Sequence, residues 1–274
     1  MIKQPLSTIT GIDTHAHIFE QNLPMVQGRR YSPAYDALVE QYISHLDRNG
    51  LSGGVLVQPS FLGTDNHYML DALKRYPKRL RGIAVVDRTI SAQALDDLAQ
   101  GGVVGVRLNL VGKTLDDYAE PDWQAFFQKL AERGLQLEIQ RSFDDFSRFL
   151  PAMLTCGVTV VIDHFGLPAG GIDLQKPSHR LLLGMLDNAQ LWVKLSASYR
   201  SALDEAQRQD AFAQLRKACG GIERFLWGSD WPHTQFEDRT DFDAQYALLR
   251  ALIPDETERN RVLINNPAGL FRFV

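Results

Sequence analysis

His15 and His17 flank Ala16 in an apolar segment, so on an extended strand both imidazoles point to one face and can meet one ligand atom. Such a pair suits a substrate oxygen or a metal ion; the alternative is two rings bonded to backbone inside a core. His164 closes the run Val160-Val161-Ile162-Asp163-His164. An imidazole there needs a hydrogen-bond partner, so a satisfied core histidine competes with a functional one. Asp230 follows Leu226-Trp227-Gly228-Ser229, where a carboxylate either caps a loop or takes a proton from a nucleophile. Asp13, just before the histidine pair, reads as a strand-start residue facing outward.

A second set of residues is cationic. Arg107 stands in Gly105-Val106-Arg107-Leu108-Asn109, and so apolar a context demands either an internal ion pair or an anionic ligand. Arg200, with Tyr31 and Arg30, offers the parts of a carboxylate clamp, although Arg30 also reads as a solvated loop charge.

These residues share a position relative to the elements that carry them. Eight short runs rich in Val, Ile and Leu span residues 11–19, 53–60, 80–86, 103–110, 135–140, 158–165, 191–198 and 224–230. Longer amphipathic stretches separate them, including 34–49, 66–76, 122–133, 143–155, 207–218 and 241–252. That alternation is the sign of βαβ units with a parallel sheet covered on both faces. Two of the runs would also fit an open doubly wound sheet, but eight units reach the copy number of a closed barrel. The expectation is one (β/α)8 TIM barrel, a single domain over residues 1–274. Asp122 and Asp241 are placed to begin helices, and Gly50, Gly134 and Gly220 to end them.

Barrel enzymes build their sites where strands end on the C-terminal side. His15 and His17 close the first run, Arg107 and Asn109 the fourth, and Gln140 and Arg141 the fifth. His164 closes the sixth, Lys194, Ser196 and Arg200 the seventh, and Asp230 and His233 the eighth. Closure makes the first and last strands neighbours, so His15, His17, His164 and Asp230 should converge. The long connection 20–33, containing Arg29-Arg30-Tyr31, is of a length that is often functional.

A net charge of −4 and no Lys/Arg block longer than two residues argue against a nucleic-acid partner. No stretch approaches the roughly 18 apolar residues of a membrane span, and residues 1–10 lack the apolar region of a signal peptide. Two cysteines, Cys156 and Cys219, fit buried free thiols of a reducing compartment, so a cytoplasmic protein with no membrane partner is expected. A homo-oligomer is compatible with the composition.

The chain resembles the amidohydrolase superfamily, within it the branch of 2-pyrone-4,6-dicarboxylate lactonases, sugar lactonases and related metal-dependent hydrolases. The resemblance covers the whole chain. It rests on Ile12-Asp13-Thr14-His15-Ala16-His17, Arg29-Arg30-Tyr31, Val57-Gln58-Pro59-Ser60, Gly63-Thr64-Asp65-Asn66 and Gly105-Val106-Arg107-Leu108-Asn109. Ile162-Asp163-His164, Val193-Lys194-Leu195-Ser196, Gly228-Ser229-Asp230-Trp231-Pro232-His233 and Asn266-Pro267-Ala268 complete it. The resemblance implies opening of a carboxylated pyrone or sugar-acid lactone by water, with Asp230 as base and His15, His17 and His164 around the carbonyl oxygen. It implies substrate contacts at Tyr31, Ser60, Arg107, Arg200 and His233. One divalent ion, zinc or manganese, on His15, His17 and Asp230 is compatible with it, as is a reaction with no cofactor. Two departures bear on this. Gln140 and the segment 107–109 stand where fully metallated relatives have further ligands, which argues against a binuclear centre. Leu167 stands where a dicarboxylate lactonase would have an arginine, which weakens one carboxylate contact. A metal-dependent decarboxylase and a non-catalytic small-molecule-binding barrel are the competing readings.

Overall fold

The computed structural model describes residues 8–273; most of the N-terminal segment read for a signal peptide lies outside them. Eight strands alternate with helices. The strands are β1 (Ile12–Ala16), β2 (Gly53–Val57), β3 (Leu80–Ala84), β4 (Val103–Asn109), β5 (Gln136–Gln140), β6 (Val160–Ile162), β7 (Leu191–Leu195) and β8 (Phe225–Trp227). All pair in parallel with their sequence neighbours, in the order β1 to β8. Between them run α1 (Val39–Arg48), α2 (His67–Arg75), α3 (Ala92–Gln100), α4 (Pro121–Glu132), α5 (Leu150–Leu154), α6 (Pro177–Met185) and α7 (Glu205–Cys219). After β8 come α8 (Phe242–Leu252), α9 (Glu256–Asn260) and α10 (Asn266–Leu270). This is a nearly closed (β/α)8 barrel, as the alternation of apolar runs predicts.

Closure between β1 and β8 depends on few backbone bonds and on one carboxylate. Asp230 N–H donates to His15 O (2.8 Å) and His17 N–H to Trp231 O (2.7 Å). Asp13 accepts from Ser229 N–H (2.8 Å), Ser229 Oγ (2.6 Å), His15 N–H (3.1 Å) and Tyr42 Oη of α1 (3.0 Å). Asp13 therefore faces outward as expected, but into the helix layer and fully buried rather than toward solvent. Its pKa is pushed up to about 6 by burial, which these hydrogen bonds oppose. Gly228 makes the seam tight: a Cβ there would lie 2.5 Å from the His15 Cβ and 3.0 Å from its backbone nitrogen.

Apolar burial divides in two. The larger cluster fills the space between strands and helices, and a smaller one, including Ile12, Val55, Ile83, Val161, Leu226 and Phe271, fills the barrel floor. With the floor apolar, polar side chains concentrate above it, toward the strand C-termini.

Local chemistry sets the helix ends. Asp241 accepts from Ala244 N–H (2.7 Å) at the start of α8, and Asp122 lies in the first turn of α4. Asp204 and Gln207 form a reciprocal cap that begins α7 earlier than the apolar periodicity suggests. Gly50, Gly134 and Gly220 take φ of 66°, 58° and 73° just past α1, α4 and α7. The stretch 143–155 is not one helix. Pro151 has no N–H to donate and disfavours helical backbone before it, so only a single turn at Phe146–Arg148 precedes the short α5. β6 and β8 are three residues each, shorter than their apolar runs, because the chain turns before His164 and Asp230. Cys219 is buried and Cys156 only half-buried, both as free thiols. Among the described residues no helix is long and apolar enough to cross a membrane.

Candidate active site

Asp230 Oδ1 is the focus of the barrel mouth. His15 Nε2 lies 3.8 Å from it, His17 Nε2 3.7 Å and His164 Nε2 3.8 Å. These separations are too long for hydrogen bonds, and neither Asp230 Oδ1 nor His15 Nε2 has a hydrogen-bond partner. Three nitrogens and one oxygen thus surround a point that a small oxygen atom or an ion can occupy.

Backbone geometry aims these groups. The β1 to β2 register is irregular between Asp13 and Ala16, so His15 turns into the barrel although Asp13 faces α1. His164 and Asp230 adopt φ of 55° and 60°, a left-handed conformation that ends their strands sharply. For non-glycine residues such backbone is costly, by about 1–3 kcal/mol, and it concentrates at functional sites.

Burial keeps the imidazoles neutral. The pKa of His17 is pushed down to about 3 by burial and then by Arg107, and that of His164 to about 4 by burial. His15 is likewise held well below its ordinary value by burial. Burial, the largest single influence, pushes Asp230 the other way, but the contacting Arg200 guanidinium together with His164, His15 and His17 outweighs it and holds the carboxyl well below the usual range. The result is one carboxylate among three neutral rings. His17 Nδ1–H donates to Val57 O (2.7 Å), which leaves its Nε2 lone pair facing the centre.

A narrow cleft opens onto this centre, lined by Arg30, Tyr31, Ser60, Arg107, Asn109 and Arg200 among others. Tyr31, Ser60, Arg107 and Arg200 are thus brought together as the sequence suggests. Two of the guanidiniums already have carboxylate partners. Arg107 donates from Nε to Asp163 Oδ2 (3.2 Å) and from Nη2 to Gln140 Oε1 (2.7 Å), and Arg200 Nε donates to Asp230 Oδ2 (2.7 Å). His233 is not among the residues lining the cleft. It lies behind Tyr199, with Nδ1 3.2 Å from the Tyr199 hydroxyl, which in turn donates to Asp230 Oδ2 (2.5 Å).

Sequence reasoning assigned no role to Tyr199, Asp163 or Glu138. All three are polar residues in or just after strands, and Asp163 and Glu138 are fully buried beneath the histidines. Lys194 Nζ lies there too, donating to Glu138 Oε1 at 2.6 Å. The available signal was the strand position itself: an acid and a lysine on apolar barrel strands have no solvent to face.

The donor positions match those of a divalent-ion site. His15, His17 and Asp230 each offer one ligand atom, all within 4.8 Å of one another, and nitrogen with carboxylate oxygen suits a borderline ion such as zinc. The hydrogen bonding matches less well. Lys194 Nζ lies 3.2 Å from His15 Nδ1, and an ammonium donating there puts the ring proton on Nε2, where a metal ligand needs a lone pair.

Sequence and structure comparisons agree with this architecture. The chain is 29% identical to the 2-pyrone-4,6-dicarboxylate hydrolase of Comamonas testosteroni over 95% of its own length and 90% of that protein. It is 28% identical to the 4-sulfomuconolactone hydrolase of Hydrogenophaga intermedia, over 94% and 88%. A crystal structure of a probable 2-pyrone-4,6-dicarboxylic acid hydrolase from Acinetobacter baumannii, with citric acid bound, superposes with a TM-score of 0.92. Identity to it is 38%, covering 96% of this chain and 99% of that one. The amidohydrolase family model matches residues 12–273, with the His/Asp centre inside the match, and the chain belongs to that family.

Proposed function

We propose that this chain, as a single amidohydrolase domain, hydrolyses a small lactone bearing an anionic or polyhydroxylated arm, with Asp230 as general base. The observation that carries the reading is the free Oδ1 of Asp230, fully buried and facing three neutral imidazoles at 3.7–3.8 Å. Oδ2 is occupied by Arg200 and Tyr199, so the two carboxylate oxygens have separate tasks. A water between Oδ1 and the His17 Nε2 lone pair has an acceptor for each of its protons.

As that water attacks the lactone carbonyl carbon, Asp230 Oδ1 takes its proton and negative charge develops on the carbonyl oxygen. His15 and His164 flank the position for that oxygen, and donors fixed in a dry site stabilise developing charge without reorganising. Collapse breaks the ring C–O bond, and the proton held by Asp230 passes to the departing oxygen, giving a hydroxyl group and a carboxylic acid that releases its remaining proton to solvent as the carboxylate. Each step uses groups of the chain itself. Arg30, Tyr31, Ser60, Arg107 and Arg200 surround the approach and suit an anionic substrate arm. The relatives named for pyrone dicarboxylate and sulfomuconolactone support that substrate class. Free thiols at Cys156 and Cys219 support a reducing, cytoplasmic setting.

The test is turnover of a panel of carboxylated, sugar-acid and neutral lactones in 18O-labelled water. One labelled oxygen should enter the new carboxylate, and Asp230→Asn should lower kcat by about 10²- to 10⁴-fold, the usual contribution of a general base. Carbon dioxide released without label would instead make the protein a decarboxylase. Tight binding with no product over hours would make it a binding barrel.

A further inference from the structure

Beneath the catalytic floor lies a charge cluster of which the proposed reaction uses only Arg107. Lys194, Glu138 and Asp163 are fully buried, and Arg107 nearly so. Lys194 Nζ donates to Glu138 Oε1 (2.6 Å), approaches Asp163 Oδ1 (3.5 Å) and lies 3.2 Å from His15 Nδ1. Asp163 Oδ2 is held by Arg107 Nε at 3.2 Å.

His15 Nδ1 therefore has two neighbours of opposite character. Asp163 Oδ1 can only accept, and would select the tautomer with a proton on Nδ1 and a lone pair on Nε2. The lysine ammonium can only donate, and selects the reverse. Geometry favours the lysine: Asp163 Oδ1 is 3.4 Å from Nδ1, long for a hydrogen bond, whereas Lys194 lies 3.2 Å away within hydrogen-bonding geometry. Glu138, two strands away on β5, fixes the lysine in that place.

We propose that Lys194, anchored by Glu138, is a positioning residue that selects the Nε2–H tautomer of His15, turning a nitrogen with metal-ligand spacing into a hydrogen-bond donor. His15 and His17 then differ in polarity: His17 presents a lone pair to the water, and His15 an N–H to the carbonyl oxygen. Only the naming of that oxygen rests on the lactonase reading. The tautomer and its effect on ion binding are properties of the cluster alone.

Two measurements on the full chain, neither requiring turnover, test this. In 15N-histidine spectra, the His15 ring, identified by its loss in His15→Gln, should carry its proton on Nε2. In Lys194→Met the proton should move to Nδ1, facing Asp163. Zinc affinity, measured by chelator competition, should rise in Lys194→Met by about 10- to 100-fold, the effect that outer-shell partners typically have. The rise should vanish in His15→Gln/Lys194→Met, which separates the site from adventitious zinc. Glu138→Gln/Lys194→Met removes the partner charge as well and serves should the single variant fail to fold. A proton on Nδ1 in the unsubstituted protein overturns the proposal without any variant. Unchanged tautomer and zinc affinity in both lysine variants overturn it equally. Absence of lactonase activity would leave these outcomes intact.

Discussion

Arg200 Nε and Asp230 Oδ2 form an ion pair at 2.7 Å in which the aspartate is fully buried and its other oxygen stays free. One guanidinium thus anchors the carboxylate, lowers its proton affinity and lines the approach of the substrate. In Arg200→Met the opposing charge is gone, so the Asp230 pKa rises toward its ordinary value. The Asp230 titration, followed by carboxyl 13C NMR, should then move to higher pH, by about 1–3 units for loss of a contacting opposite charge. KM for anionic lactones should increase at the same time. An Asp230 titration that stays in place would show that Arg200 does not set the charge of Asp230.

The buried imidazoles make a separate prediction for pH dependence. His164 and His17 are neutral until pH falls to about 4 and about 3. Activity that needs neutral rings should therefore persist below the ordinary histidine range and fall only as pH approaches about 4. A rate that halves near pH 6.5, where an unperturbed histidine titrates, would contradict this. Stability follows the same residues. Their folded pKa values lie below the unfolded one, so the unfolded chain binds more protons and stability declines as pH falls from about 6.5 toward about 4. Asp13, raised from 3.8 to about 6, acts in the opposite sense over most of that window, from about pH 6 downward.

Gly228→Ala places a methyl group 2.5 Å from the His15 Cβ. Such overpacking typically costs about 1–3 kcal/mol, and here the atoms that must yield belong to the catalytic strand. Thermal denaturation should show a lower midpoint, and steady-state assays a lower kcat. Wild-type values for both would mean that the seam is looser than its geometry indicates.

Asp13→Ala leaves the donors on Ser229, His15 and Tyr42 without their acceptor. Buried unsatisfied groups cost about 1–3 kcal/mol each, so urea unfolding should reveal a loss of about 3 kcal/mol or more. Asp13→Asn retains an acceptor and should lose less. Equal losses in the two variants would remove the hydrogen bonds as the cause.

Much of the site is legible in sequence because it obeys a positional rule. His15, His17, His164 and Asp230 each end an apolar run, and the barrel brings such ends together. Tertiary pairing is not legible in the same way. Arg200 and Arg107 both read as anion-binding residues, but their carboxylate partners lie 30 and 56 positions away. Glu138 in Gln136-Leu137-Glu138-Ile139-Gln140 has the alternation of a strand with one solvated face. Its side chain enters the barrel and meets Lys194 there instead. Length was the other loss: apolar runs mark β6 and β8, but the left-handed turns at His164 and Asp230 cut them short.

The seam between the first and last strands joins residues 216 positions apart, since Asp13 binds Ser229 across it. His15 and Asp230 belong to those same two segments, so the chemistry cannot be assembled until the final strand has docked. A chain emerging from the ribosome would hold its histidines early and its base late. Catalytic competence here reports that the ring has closed.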